Sequence, residues 1–122
     1  MATKLAILDD YQRVALEMAD WSGLPGDVEI TVFDDNLADL DAVAERLAPF
    51  EILAAMRERT PFPRALFEKL PKLKLLVTTG MRNGAMDMRA AAEHGVTVCG
   101  TGGSSAATEE MIWALIQAVV RQ

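Results

Sequence analysis

The residues best suited to bind an anion lie in a turn at positions 79–84, directly after an apolar stretch. Gly80, Asn83 and Gly84 can adopt backbone angles that most other residues avoid. A turn of this kind can direct the successive N–H groups of residues such as Met81 and Arg82 toward one anion. Because Asn-Gly is also a common turn without any ligand, the motif alone leaves both interpretations open.

Two further segments place polar groups after apolar stretches. Arg57, in segment 56–60, could form a bidentate pair with a substrate carboxylate, or it could belong with Arg59 to a solvated charged stretch. The glycines and hydroxyls of segment 100–105 precede a predicted helix and could hold a phosphate. That segment has no P-loop lysine, and such a segment is more often a flexible turn with a helix cap.

The elements that must position these groups alternate between strand and helix patterns. The apolar stretches predict strands at 4–8, 29–33, 51–55, 73–78 and 96–99. Helical spacing, caps and turn residues predict helices at 14–19, 39–47, 63–70, 88–94 and 107–121. This alternation predicts an α/β fold, a doubly wound parallel five-stranded sheet with helices on both faces. Right-handed crossovers favour the flavodoxin-like order 2-1-3-4-5, whose loops meet at the carboxyl ends of the strands.

We expect one domain over residues 1–122, with a sheet core at 1–99, a hinge loop at 100–106 and a C-terminal helix at 107–121. The 122 residues carry a net charge of −6, which argues against nucleic-acid binding. No apolar stretch is long enough to span a membrane. The apolar stretch near the N-terminus is too short for a secretory signal, so we expect a cytoplasmic protein.

Asp9 and Asp10 follow the first strand, where a Rossmann fold needs glycines and a flavodoxin needs groups that cradle phosphate. Paired acids would suit the Mg²⁺ of a receiver domain. However, a receiver needs a phosphorylatable Asp at the end of the third strand, and that stretch reads Ala54-Ala55-Met56-Arg57. A receiver also needs a Lys after the fifth strand, where this chain has Gly100 and Thr101. We therefore interpret the two acids as a helix N-cap plus solvated charge. A receiver-like or other flavodoxin-like binding module remains the alternative function.

The remaining reactive side chains have simpler interpretations. The lone cysteine, Cys99, is predicted to be buried in the fifth strand. The lone histidine, His94, is predicted to end a helix, where a cation is favourable. The spacing of His, Cys, Asp and Glu predicts no metal site and no complete catalytic set.

Three segments, in this order and spacing, resemble the D-isomer-specific 2-hydroxyacid dehydrogenase family, which includes phosphoglycerate dehydrogenase. Segment 56–60 (MRERT) is similar to the family's apolar-Arg-x-x-Thr turn. Segment 73–99 resembles its strand, glycine turn, helix and Gly-Val-x-Val sequence. Segment 106–111 (AATEEM) is similar to the start of the family's A-E-L helix. Together with the strand pattern, the resemblance covers nearly the whole chain.

The resemblance implies a flavodoxin-like domain on the substrate side of an enzyme that transfers hydride between NAD(P) and a 2-hydroxy or 2-keto acid. The backbone amides of Met81 and Arg82, after Gly80, would bind the substrate carboxylate, with Arg57 nearby. Met81 and Thr108 would approach the nicotinamide end of NAD(P). Arg82 occupies a position where relatives often have glycine, which leaves the choice of substrate open.

In that family the glycine fingerprint and the catalytic Arg, Glu and His belong to the nucleotide-binding domain or its edge. We therefore expect this chain to be truncated before that domain. A chain without the fingerprint should bind no cofactor by itself, and without the catalytic groups it should be inactive alone. The missing nucleotide-binding domain is accordingly its first expected partner.

The last predicted helix is apolar over much of its circumference, and such a helix is expected to be buried on several sides. Its apolar residues are Met111, Ile112, Trp113, Leu115, Ile116, Val119 and Val120. In the family, the corresponding helix packs on the nucleotide-binding domain. Without that domain, we expect either a compact five-helix domain or a homodimer, which could be swapped through the hinge at 100–105.

Overall fold

The computed structural model describes residues 2–121 and contains a five-stranded parallel sheet. Its strand order is β2-β1-β3-β4-β5, which confirms the predicted flavodoxin-like α/β fold. The strands are β1 Thr3–Ile7, β2 Val28–Val32, β3 Ile52–Ala55, β4 Leu75–Thr78 and β5 Thr97–Gly100. The α-helices are α1 Leu40–Leu47, α2 Arg64–Phe67, α3 Met88–Glu93 and α4 Ala106–Val120.

The larger core lies between one face of the sheet and helices α1, α2 and α3. Leu53 of β3 and Leu76 of β4 are fully buried there, against Leu47 and Phe67 from the helices. Burying one such side chain stabilises the fold by roughly 1.5–3 kcal/mol relative to leaving it exposed. Strands β3 and β4 are therefore well anchored in the core, and they fix the starting points of the loops that follow them.

Capping residues fix the ends of α1 and α3. The Asp39 carboxylate accepts a hydrogen bond of 2.9 Å from the Ala42 N–H, as its predicted capping role requires. Asp87 accepts one of 2.9 Å from the Ala90 N–H at the start of α3. Gly95 has a φ of +71° directly after the α3 C-cap, which agrees with the predicted helix end.

The opposite face of the sheet is covered more thinly, by the connection between β1 and β2. Leu5, Ile7 and Ala15 are the buried residues there, with Trp21 packed against them. The predicted helix at 14–19 is wrong, because this connection contains only turns and a short 3-10 helix, Trp21–Gly23.

Side chains compete with the helix in this connection. The Asp10 carboxylate accepts hydrogen bonds from the N–H groups of Val14 and Ala15, at 3.2 and 3.0 Å. The Trp21 indole donates to the Ala15 carbonyl at 2.9 Å, and Arg13 has a left-handed φ of +55°. A six-residue helix has little stability of its own, so these contacts determine the conformation instead.

Helix α2 is shorter than its predicted span of 63–70. Pro63 precedes it as the N-cap, and the α-helix ends at Phe67. Beyond it, Lys69 and Leu70 donate to carbonyls three residues earlier, at 3.0 and 3.2 Å. The helical pattern therefore continues as tighter turns, which are common at helix ends.

Strand β5 lies at the edge of the sheet, and this position overturns the prediction for Cys99. The Cys99 side chain is exposed. Its face of β5 would be covered only if α4 returned to the sheet, and all described residues from Thr101 onward are exposed. The prediction of a buried Cys99 is therefore wrong.

Helix α4 contains no buried residue, so the alternative of a compact five-helix domain is wrong. Trp113 is 63% exposed and Val120 is 77% exposed. Packing on the sheet would cover only one side of a helix that is apolar on most sides. No helix among residues 2–121 is long and apolar enough to cross a bilayer.

Candidate functional site

The candidate site lies where β3, β4 and β5 end at one edge of the sheet. In the register of the strands, Ala55 pairs with Thr78 and Thr78 pairs with Gly100. The loops that follow these three residues therefore start side by side. They bring Arg57 close to Gly80 in the turn at 79–84.

Gly80 has a φ of +99°, a conformation that favours glycine. Its N–H donates to the Thr101 hydroxyl at 2.8 Å, and its carbonyl accepts from the Thr101 N–H at 2.9 Å. Thr101, after β5, thus fixes the peptide groups on both sides of Gly80. Gly100 permits this close approach, because a Cβ added there would lie 2.7 Å from the Gly80 oxygen.

The next two N–H groups of the turn, those of Met81 and Arg82, have no hydrogen-bond acceptor among residues 2–121. Both residues are exposed, and Met81 is 74% exposed. The turn therefore presents two successive donors to the outside of the sheet edge. This arrangement can bind one carboxylate or another small anion.

Asn83 connects this turn to the loop after β3. Its side-chain amide donates to the Arg57 carbonyl at 2.6 Å and to the Thr78 hydroxyl at 3.0 Å. The Asn83 side-chain oxygen accepts from the Ala85 N–H at 2.9 Å. A further bond joins the same two loops, because the Thr79 hydroxyl accepts from the Arg57 N–H at 3.1 Å. Sequence reasoning identified the Asn-Gly turn but missed Asn83 and Thr101 as positioning residues, because their partners are distant in sequence.

The Arg57 side chain extends along Gly80. Its guanidinium Nη1 lies 3.7 Å from the position that a Cβ on Gly80 would occupy. No carboxylate within the described residues 2–121 forms an ion pair with Arg57. Arg59 differs, since it donates to the Asp9 carbonyl at 2.7 Å and lies over the Tyr11 ring at 4.5 Å. The two arginines thus have separate environments, and only Arg57 faces the turn.

An open cavity of about 480 Å³ adjoins the turn on the side of β5. Much of its wall is apolar, with Met81, Met86, Met88 and Val98. Arg82 is the cationic residue of that wall. The site therefore combines two free N–H groups, two arginines and an apolar surface, which suits an organic anion better than a bare ion.

The family model for the D-isomer-specific 2-hydroxyacid dehydrogenase catalytic domain matches residues 5–113 of this sequence. The chain belongs to this family. The prediction made from segments 56–60, 73–99 and 106–111 is thereby confirmed at the level of the family.

Individual members of the family are similar over most of this chain. Phosphoglycerate oxidoreductase from Vibrio cholerae O395 superposes with a TM-score of 0.86 and 42% identity, over 95% of this chain and 36% of that one. Hydroxypyruvate reductase from Blautia hydrogenotrophica is 30% identical over 96 residues, which are 78% of this chain and 29% of that enzyme. D-lactate dehydrogenase from Escherichia coli shares the fold, with a TM-score of 0.73 at 20% identity. The chain thus spans about a third of the length of these dehydrogenases.

Of the residues predicted for this dehydrogenase domain, Arg57, Gly80, Met81 and Arg82 lie together at the sheet edge, whereas Thr108 does not join them. Thr108 lies in the first part of α4 and is exposed. Within residues 2–121, no hydrogen bond connects Thr108 to the turn. Its predicted approach to the nicotinamide stays a prediction.

The other titratable candidates of this dehydrogenase domain lie outside the turn. His94 caps the C-terminus of α3, as predicted, with its Nδ1 at 2.8 Å from the Ala90 carbonyl. Because α3 leads into the start of β5, His94 lies at the opposite end of the sheet from Gly80. The pKa of Glu93 is lowered by the Arg64 guanidinium, and the pKa of Asp35 is lowered by Arg46. These ion pairs stabilise the surface rather than the site.

The prediction of solvated charge at Asp9 and Asp10 is wrong, because they are only 2% and 4% exposed. The Asp9 carboxylate accepts from the Thr60 hydroxyl at 2.5 Å and from the Asn36 amide at 2.9 Å. Asp10 does have a capping role, but for the turn at Val14 rather than for a helix. No group of three His, Cys, Asp or Glu side chains within residues 2–121 could hold a metal ion.

Proposed function

We propose that this chain is the substrate-side domain of an NAD(P)-dependent D-2-hydroxyacid dehydrogenase. The parent enzyme would transfer hydride between NAD(P) and a 2-hydroxy or 2-keto acid. The proposal is supported by the N–H groups of Met81 and Arg82, which have no acceptor among residues 2–121 and lie on a turn held by Thr101 and flanked by Arg57.

In this proposal the substrate carboxylate accepts hydrogen bonds from the Met81 and Arg82 N–H groups. Arg57 adds charge-assisted hydrogen bonds, which are stronger than neutral ones. Fixing the carboxylate at these donors orients the neighbouring C2 atom, where the oxidation state changes. The turn is preorganised by the bond from the Gly80 N–H to Thr101 and by the bond from the Asn83 amide to the Arg57 carbonyl, so little reorganisation is needed on binding.

The loop after β1 offers no binding site for the dinucleotide cofactor. Dinucleotide binding requires glycines after β1, and Asp9 and Asp10 occupy that position with buried carboxylates. We therefore propose that a separate nucleotide-binding domain holds NAD(P), which supplies or accepts the hydride when bound. Met81 and Thr108 would face its nicotinamide end only when the two domains are together.

The chain alone is expected to oxidise no NADH with glyoxylate or hydroxypyruvate. Its only histidine, His94, lies at the far end of the sheet, and the turn itself offers donors but no acid-base pair. The measurement is NADH absorbance over time, with the Blautia hydrogenotrophica hydroxypyruvate reductase as the positive control. Turnover at an ordinary enzyme rate, about 1 s⁻¹ or more, would overturn the proposal that a separate domain holds NAD(P) and is needed for catalysis.

We further propose that α4 is a contact surface, for the nucleotide-binding domain in the parent enzyme and for a second copy when the chain is alone. Static light scattering at increasing concentration is expected to show a mass approaching twice the 13.3 kDa of one chain. Ile116→Glu should keep the chain monomeric, because it places a charge on the apolar surface of α4. Gln117→Glu adds the same charge without removing an apolar side chain and should still dimerise. A monomeric mass for the unmodified chain at all concentrations would rule out the dimer.

A further inference from the structure

Arg82 is a cation that the proposed binding of one carboxylate does not use. In that proposal, which this inference deepens, the carboxylate takes the backbone N–H of Arg82 and the guanidinium of Arg57. The Arg82 side chain instead lines the adjoining cavity of about 480 Å³. Its charge is therefore available to a second group on the same ligand.

The ion pairs of the described residues leave the Arg82 charge free for a ligand. Four of the eight arginines, Arg13, Arg46, Arg64 and Arg89, pair with carboxylates, and Arg59 donates to the Asp9 carbonyl. Arg82, like Arg57, has no carboxylate partner within the described residues 2–121. Although the whole chain carries a net charge of −6, no carboxylate of residues 2–121 compensates these two arginines beside the turn.

The apolar part of the cavity lining indicates what separates the two anionic groups. Met81, Met86, Met88 and Val98 all contribute to this apolar surface. Methionine side chains adapt to an irregular apolar ligand. A short carbon chain could run along this surface from the N–H groups to the Arg82 guanidinium.

We infer that the site takes 2-hydroxy or 2-keto acids that carry a second anionic group at the far end of a short carbon chain. Arg82 is the residue that selects this second group. A carboxylate and a phosphate ester share the required chemistry, since an arginine binds both in a bidentate way.

The test is an NMR titration of the ¹⁵N-labelled chain, following the backbone amides at positions 81 and 82. The ligands are D-glycerate, with one anionic group, D-malate, with two carboxylates, and 3-phospho-D-glycerate, with a phosphate. At least one of the two doubly charged ligands is expected to bind about tenfold more tightly than D-glycerate, the effect of one added charge-assisted pair. Whichever of them binds more tightly identifies the second group as carboxylate or phosphate.

Arg82→Gln is expected to reduce this preference to about one- to twofold, and Arg82→Lys to retain part of it. Lys72→Gln is the matched control, because it removes one charge from the opposite end of the sheet, beside Lys4 and Glu51. That variant should keep the full preference.

The outcomes separate the two proposals. If none of the three ligands shifts the amides at positions 81 and 82, both the carboxylate site and the inference fail. If D-glycerate shifts them but neither doubly charged ligand binds more tightly, the carboxylate site stands and the inference is overturned. A preference that persists in Arg82→Gln, or is lost equally in Lys72→Gln, also overturns it.

Discussion

Gly100→Ala is expected to lower the affinity of the chain for D-glycerate by about tenfold or more while the fold is retained. A Cβ at position 100 would lie 2.7 Å from the Gly80 oxygen and 3.3 Å from the Met81 Cα. These are backbone atoms, so the turn itself must move away from β5. The hydrogen bonds between Gly80 and Thr101 would be strained, and the Met81 N–H would no longer point toward the bound carboxylate.

The measurement is an NMR titration of both the unmodified chain and the variant with D-glycerate. Gly102→Ala is the matched control, because a Cβ added there meets nothing within 4 Å and its φ is not in the left-handed region. It should bind as the unmodified chain does. If Gly100→Ala also binds normally, the close approach of β5 does not position the turn.

Asp9→Ala is expected to lower the free energy of unfolding by about 2–4 kcal/mol. The Asp9 carboxylate is buried and accepts hydrogen bonds from Thr60 and Asn36. Its removal leaves the buried Thr60 hydroxyl without that acceptor. Asp9 also has a φ of +56°, which alanine tolerates poorly.

Urea unfolding of the variants measures this effect. Asp9→Asn should be less destabilised, because asparagine tolerates the left-handed region and keeps one oxygen acceptor. Asp27→Ala is the control for loss of an exposed acid and should change stability by no more than about 0.5 kcal/mol. Equal losses of unfolding free energy for Asp9→Ala and Asp27→Ala would show that the hydrogen bonds of Asp9 to Thr60 and Asn36 contribute nothing to stability.

The sheet could be predicted from the sequence because its signals are local. Each strand is a short apolar stretch bounded by polar or turn residues, and right-handed crossovers leave few possible orders. The same holds for the caps at Asp39 and Gly95 and for the turn at Gly80, where residue type alone restricts the backbone. Strand positions differ from the prediction by only one or two residues, which is the usual uncertainty of element ends.

What could not be predicted depends on contacts between distant residues. The buried Asp9 carboxylate is bound by Thr60, which lies 51 positions later in the chain. No local sequence pattern signals a partner at that distance. Cys99 has an apolar sequence context, but its burial would require α4 to cover the edge strand. Thr101 and Asn83 look like ordinary loop residues until the sheet brings Gly80 and Arg57 beside them.

The most direct measurement of the central claim is a backbone amide shift map of the ¹⁵N-labelled chain with D-glycerate, and with glycerol as its neutral analogue. Binding through the carboxylate should shift the Met81 and Arg82 amides most, with smaller effects at Gly80 and Thr101. Glycerol should shift none of them at the same concentration, because it has no carboxylate. Largest shifts in the Gly102–Ser105 segment, or equal shifts with glycerol, would contradict a carboxylate site at the Gly80 turn.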